Sequence, residues 1–216
     1  MKDNPQNVSQ LIEILENRTP IIEKLGFPLS RLPLLKEYLS LVWKANAELN
    51  LFSRKMSMEE LVDNHLIDCL LPLEFFPTAA KAVADFGSGG GFPGVIYALA
   101  FPNLKFHLYE KSPKKQNFLK SCQQRFRNIE VFGEIPTDLP DVDFVTSRAF
   151  KPLDVLFEIS RDYFRRGGSY FLLKGRHEKI QEELAFAQKK FGNISIQVLP
   201  LHSPVLDVER HLVLIG

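Results

Sequence analysis

Residues 85–94 read Asp85-Phe86-Gly87-Ser88-Gly89-Gly90-Gly91-Phe92-Pro93-Gly94, and this segment restricts the fold more than any other. Gly87, Gly89, Gly90, Gly91 and Gly94 fall within eight positions. Glycine weakens the interior of a helix or strand, so such a cluster belongs to a connection that needs φ > 0 or a close approach of the backbone to another group. An apolar run, Ala82–Phe86, precedes it, and a helical pattern over 95–101 follows. A glycine-rich turn from strand to helix points to a doubly wound α/β sheet, where ligands bind beyond the carboxyl ends of the strands. Pro93 suits the first turn of the following helix.

The chain downstream repeats the same alternation. Strand patterns over 82–86, 105–109, 128–132, 144–147 and 170–173 alternate with helical patterns over 95–101, 113–126, 153–164 and 178–191. Crossovers of this length imply a parallel sheet covered by helices on both faces. Two further strand patterns, 194–199 and 211–215, have no helix between them and are expected to pair antiparallel at one sheet edge.

Upstream the chain reads as helical. Leu11, Ile14, Leu15, Ile22 and Leu25 fall at helical intervals before a stop at Gly26 and Pro28. Ser30 is expected to cap a second helix to Leu49, and Ser57 with Glu60 forms a capping box for a third helix to Phe75. The expected organisation is a helical extension over 1–78 and an α/β domain over 79–216.

Composition narrows the partners. Lys and Arg total 27 against 26 Asp and Glu, a formal charge of +1, so the protein cannot hold a polyanion by bulk charge. Any nucleic-acid contact must be a local patch. The segment 111–127 supplies one: Lys111, Lys114, Lys115, Lys120, Arg125 and Arg127, with no acidic residue among them. Cys69 and Cys122 form no CxxC, zinc set or disulfide framework, which points to a reducing cytoplasm and no metal. No secretory leader or membrane-spanning run is apparent, and a monomer is expected.

The residues leave the cofactor open between two classes. Gly89 to Gly94 satisfies G-x-G-x-x-G, and Glu110 lies about twenty residues on, as a dinucleotide site requires. Against this, Asp85 opens the pattern D-x-G-x-G-x-G, and a carboxylate there suits an ammonium or amide better than a pyrophosphate. No Gly-Lys-Ser/Thr follows, which excludes a P-loop. Glu110 can accept hydrogen bonds from a ribose diol in either class. His65 and Asp68, three residues apart, are expected to bond to one another.

A sheet closed by an antiparallel pair resembles the class I S-adenosylmethionine-dependent methyltransferases. The glycine segment, Lys114-Lys115-Gln116-Asn117-Phe118-Leu119, Thr146-Ser147-Arg148-Ala149-Phe150, Leu173-Lys174-Gly175 and Glu209-Arg210-His211-Leu212 narrow the likeness. In that order and spacing they resemble the 16S ribosomal RNA guanine-N7 methyltransferase G family, also named glucose-inhibited division protein B, over roughly residues 35 to 215. The resemblance implies a cytoplasmic enzyme that moves a methyl group from S-adenosylmethionine to N7 of a guanosine in the decoding region of 16S rRNA, within the small ribosomal subunit. It implies cofactor contacts at Gly87, Phe92, Ile135, Pro136 and Arg148, to which the reading of the residues themselves adds Asp85, Gly89 and Glu110. Arg148 would also orient the cofactor or the guanine, and Lys111, Lys114, Lys115 and Lys174 would bind RNA. The chain departs from the family pattern in three places. Ile135 stands where the family has the arginine of an Arg-x-Glu, Asn64-His65 replaces Arg-His, and Asp68-Cys69 replaces Asp-Ser. An NAD-dependent oxidoreductase and a non-catalytic module that binds small-subunit RNA are the alternatives.

Overall fold

A computed structural model describes the backbone of residues 5–216 and the side chains from residue 8 onward. The first four residues of the expected extension lie outside it. Seven strands form one sheet: β1 (Ala82–Phe86), β2 (Lys105–Tyr109), β3 (Ile129–Phe132), β4 (Phe144–Arg148), β5 (Ser169–Lys174), β6 (Ile196–Leu201) and β7 (Arg210–Ile215). Their order is β3-β2-β1-β4-β5-β7-β6. The first five are parallel, and β7 runs antiparallel between β5 and β6. The strand order reverses beside β1, which opens a crevice between the carboxyl ends of β1 and β4. The sheet is the one expected, with β6 moved two residues on. As an edge strand it accommodates Pro200, whose missing N–H breaks no ladder on the solvent side.

The helices are α1 (Pro5–Lys24), α2 (Leu32–Leu49), α3 (Met58–Leu61), α4 (Asp68–Leu70), α5 (Gly94–Ala100), α6 (Pro113–Arg125), α7 (Leu153–Ile159), α8 (Arg161–Arg165) and α9 (His177–Phe191). One sheet face buries Val83, Phe106, Phe144 and Phe171 against Leu11, Leu15, Leu39, Ile96 and Leu119. The opposite face buries Ala84, Val145 and Leu172 against Phe157, Tyr163 and Ile180. The N-terminal helices therefore share one continuous core with the sheet. Both cysteines are buried and free. None of the helices described is long and apolar enough to cross a membrane.

Three helical expectations change. Ser30 lies in a 3-10 turn, Leu29–Arg31, and caps nothing, while Pro33 sits in the first turn of α2. The Ser57–Glu60 capping box forms, with Glu60 N–H donating to Ser57 Oγ at 3.1 Å and Ser57 N–H to Glu60 Oε2 at 2.6 Å. The helix it starts does not run on to Phe75. It widens into a π-helical stretch, Val62–Ile67, continues as α4 and closes in a 3-10 turn, Leu73–Phe75. The single helix expected over 153–164 breaks at Ser160, whose buried hydroxyl bonds the Leu156 carbonyl and the Tyr170 hydroxyl, each at 2.9 Å.

Candidate active site

The glycine loop is hooked over the end of β2. Gly87 and Ser88 donate their N–H groups to the Tyr109 carbonyl at 2.9 and 3.0 Å. The next residue, Glu110, accepts from Gly89 N–H at 2.9 Å through Oε2 and from Ser112 N–H at 2.7 Å through Oε1. A carboxylate offers about four lone-pair sites, so this one is fixed in place and keeps acceptor capacity for hydroxyl donors. From the other side, the buried Tyr38 of α2 donates its hydroxyl to the Gly90 carbonyl at 2.7 Å.

Two glycines carry the shape of the mouth. At Gly89, with φ of 56°, an added Cβ would approach nothing closer than the Gly87 carbonyl at 3.8 Å. Gly87, with φ of 71°, has no such freedom, because a Cβ there would overlap the Phe150 ring. The close approach at Gly87 is thus made by a side chain of this protein.

Asp85 and Phe92 lie beneath the loop. Asp85 is fully buried on β1 and accepts from Gly94 N–H at 3.2 Å through Oδ2, while Oδ1 has no partner. Burial pushes its carboxyl up to about 7. Among the described residues three other side-chain polar atoms, Thr146 Oγ1, Tyr97 Oη and Arg148 Nε, are also buried without partners, and Thr146 is the register neighbour of Asp85 on β4. The Phe92 ring is buried between Tyr38 and His65, at 5.8 and 5.2 Å between centroids. Ile135 and Pro136 follow β3; Ile135 packs half-buried against the second core and has no polar side-chain atom.

Arg148 ends β4 and is the hub of the site. Its Nη1 donates to the Asn64 carbonyl and to Asp68 Oδ2, both at 3.1 Å, and its Nη2 meets His65 Nδ1 at 2.5 Å. The guanidinium also stands 5.5 Å over the Phe92 ring. At the end of the π-helical stretch Asp68 N–H bonds the His65 carbonyl three residues back, and the Asn64 carbonyl of the same stretch accepts from Arg148. Since Nδ1 of His65 accepts from a guanidinium, the ring proton sits on Nε2. Burial, and then the charge of Arg148, lower the His65 pKa to about 3. The partner of His65 is therefore Arg148, and the expected bond to Asp68 is absent.

Asp68 has a second partner that sequence spacing did not bring forward. Its Oδ1 accepts from Arg210 Nε, on the first residue of β7, at 2.5 Å. Arg210 stands out in the run Glu209-Arg210-His211-Leu212, but nothing in its spacing pairs it with Asp68. A cleft of about 440 Å³ opens here, with Asp68, Arg148, Phe150, Lys174, Glu183 and Arg210 among its walls. Phe150 touches both Gly87 and this cleft, so the loop and the cleft are neighbours. Between Arg148 and Phe150, Ala149 holds φ of 51°, a strained conformation for a residue with a Cβ. The Lys174 ammonium bonds Glu183 Oε2 at 2.7 Å and the Lys151 carbonyl at 3.0 Å, which ties α9 to the cleft wall.

Lys111 and Lys114 are exposed and Lys115 half-buried, all close to Glu110 at the start of α6. None of the three has an ion-pair partner among the described residues. Arg125, at the far end of α6, pairs with Glu37 at 3.1 Å.

A family model described as rRNA small subunit methyltransferase G matches residues 31–213. The chain belongs to the rRNA small subunit methyltransferase G family. Ribosomal RNA small subunit methyltransferase G 1 of Bdellovibrio bacteriovorus is 60% identical over 203 residues, covering 94% of this chain and 99% of that one. The Brachyspira hyodysenteriae methyltransferase G is 34% identical over 213 residues, covering 97% and 96%. Among solved structures, an O-methyltransferase from Bacillus cereus in complex with SAH shares the fold, with a TM-score of 0.55 at 17% identity over 83% of this chain and 91% of that one. Membership in the methyltransferase G family favours methyl transfer over both the oxidoreductase and the binding-module readings.

Proposed function

We propose that this chain methylates N7 of a guanosine in the decoding region of 16S rRNA, acting in the cytoplasm on the small ribosomal subunit or its precursor. The observation that carries this reading is the adjacency of two unlike sites. A glycine mouth with a fixed carboxylate, Glu110, adjoins a cleft lined by Arg148 and Arg210, and Phe150 forms a wall of both. The mouth suits a nucleoside, and the cleft suits a base with acceptor atoms.

The residues at the mouth fit S-adenosylmethionine. Glu110 keeps lone pairs for a ribose diol, and Gly89 offers bare backbone beside it. Ile135 and Pro136 would border the adenine through backbone and apolar contact, since Ile135 carries no polar side-chain atom. Asp85 and Phe92 support the loop from beneath. When bound, S-adenosylmethionine supplies a methyl on a sulfonium; the N7 lone pair takes it, the sulfonium becomes a neutral thioether and the positive charge passes to the purine.

N7 of guanine bears no proton, so the site needs no general base. Orientation can carry the rate, and a well-aligned attack geometry is worth roughly 7–11 kcal/mol. Arg148 is suited to that work. Of its five N–H donors three are spent on Asn64, Asp68 and His65, which fixes the guanidinium; Nε–H is buried without a partner, and the second Nη2–H is left for the cofactor carboxylate or guanine O6. Lys111, Lys114 and Lys115 extend the positive surface from the mouth towards RNA phosphates. Lys174 lines the cleft from its ion pair.

The test is transfer of labelled methyl from S-adenosylmethionine to small subunits from a strain lacking the gene, mapped by strand cleavage specific for N7-methylguanine. A single strong site in the decoding region is the expected result. Labelling elsewhere, or none on subunits and their extracted RNA, refutes it.

A further inference from the structure

We propose that Asp68 is the positioning residue of the acceptor cleft: its carboxylate clamps Arg148 and Arg210 together and cancels one of their two charges, so that the cleft can tolerate a base that becomes cationic. The inference rests on the methyl-transfer reading above and deepens it.

The geometry is specific. Asp68 turns one carboxylate oxygen to each arginine, Oδ2 to Arg148 Nη1 at 3.1 Å and Oδ1 to Arg210 Nε at 2.5 Å. Its side chain is 7% exposed and that of Arg148 15%, so solvent screens this pair weakly, while Arg210 is 30% exposed. The three residues come from three separate elements: α4 of the N-terminal helical layer, the end of β4 and the start of β7. All three line the cleft. The protein commits further groups to the same point, because the Asn64 carbonyl and His65 Nδ1 also accept from Arg148.

Charge gives this arrangement a role beyond architecture. Guanine enters neutral and leaves as a cation, the N–CH3 bond forming as the S–CH3 bond breaks and no proton moving. Guanidinium donors can read O6 of the entering base while N7 stays free to attack, but they oppose the charge that develops on the base. With Asp68 ionised the trio carries one net positive charge, and without it two. The positive charge passes from the sulfonium to the base held against these arginines, so the added repulsion grows along the reaction and lowers kcat. RNA phosphates feel the opposite effect, since a more positive cleft holds them more tightly.

The experiment compares Asp68→Asn, Arg210→Gln and the double variant in methyl transfer to small subunits, with folding checked by thermal unfolding. Asp68→Asn is expected to lower kcat by about tenfold or more while KM for the subunit stays level or falls. A merely structural loss would raise KM instead. The double variant returns the trio to one net charge, and its kcat is expected to recover to within about threefold of wild type, with KM raised by the missing guanidinium. Wild-type kcat in Asp68→Asn, or a double variant no faster than that single one, overturns the inference. Should Asp68→Asn fail to fold, Arg210→Gln decides alone. Its trio is neutral, so kcat should hold with KM raised, and a tenfold fall in kcat overturns the inference. A wild type without transfer removes the function itself, whereas an active wild type beside an unaltered Asp68→Asn removes only the role of Asp68.

Discussion

Replacing Asp85 by asparagine should make the protein more stable, and increasingly so as pH rises. The carboxyl is fully buried, with a single hydrogen bond from Gly94 N–H and one orphaned oxygen. Burial raises its pKa from 3.8 to about 7, so the folded state holds a proton that the unfolded chain releases near pH 4. The folded protein then binds more protons than the unfolded one between about pH 4 and pH 7, and stability falls as pH rises through that window. From pH 5 to pH 8 this single group removes about 3 kcal/mol, an order-of-magnitude figure from the two pKa values. Asparagine keeps the acceptor for Gly94 and has no charge to bury. Urea unfolding of wild type and Asp85→Asn at pH 5, 6, 7 and 8 isolates the effect, because every other titrating group cancels in the difference. The gap should widen by about 3 kcal/mol across the series in favour of the variant. Parallel stability curves would show that Asp85 ionises freely in the folded state, and the argument from its burial would fail.

Gly87→Ala combines a left-handed backbone with overlap on Phe150, and should lose about 2–4 kcal/mol of stability and weaken S-adenosylhomocysteine binding. Adding Phe150→Ala should recover part of that loss in thermal unfolding; no recovery would place the strain elsewhere. Lys114→Ala with Lys115→Ala should weaken RNA binding and flatten the slope of log K against log salt by about 1.4–1.8, and an unchanged slope removes both lysines from the RNA interface. His65, with its pKa lowered from 6.5 to about 3, should stay neutral in the folded protein from pH 8 to pH 5 while the unfolded chain takes up its proton, so stability falls as pH drops from about 6.5 towards 3. Ring resonances in NMR that titrate near pH 6.5 would contradict its bond to Arg148.

Local pattern was enough for the sheet. β1 and β2 span the residues their apolar runs marked, because both are enclosed by neighbouring strands and by helices. The Ser57 cap was legible because both of its partners lie within four residues. The break in the following helix was not. Val62 to Leu70 has apolar residues at helical spacing and is compatible with an unbroken helix, whereas the arginine that bonds the Asn64 carbonyl of the widened stretch lies 84 residues away. The active-site region divides along the same line. The glycines and Glu110 announce themselves through composition and spacing, whereas the Asp68–Arg210 pair spans 142 residues and exists only once β7 is laid beside β5. Ser160 belongs with these cases, since the tyrosine that bonds it comes from a strand and from the other side of a turn.

The bond from Tyr38 to the Gly90 carbonyl bears on how such a protein can be cut or recombined. A catalytic fragment beginning at β1 would carry a loop carbonyl left without its donor, and Phe92 would lose the ring against which it packs. Grafting the α/β half onto a foreign helical layer would meet the same defect unless a tyrosine arrived at that height. Protein engineers should therefore place any crossover point upstream of α2, where the two helical turns that serve the loop travel with it.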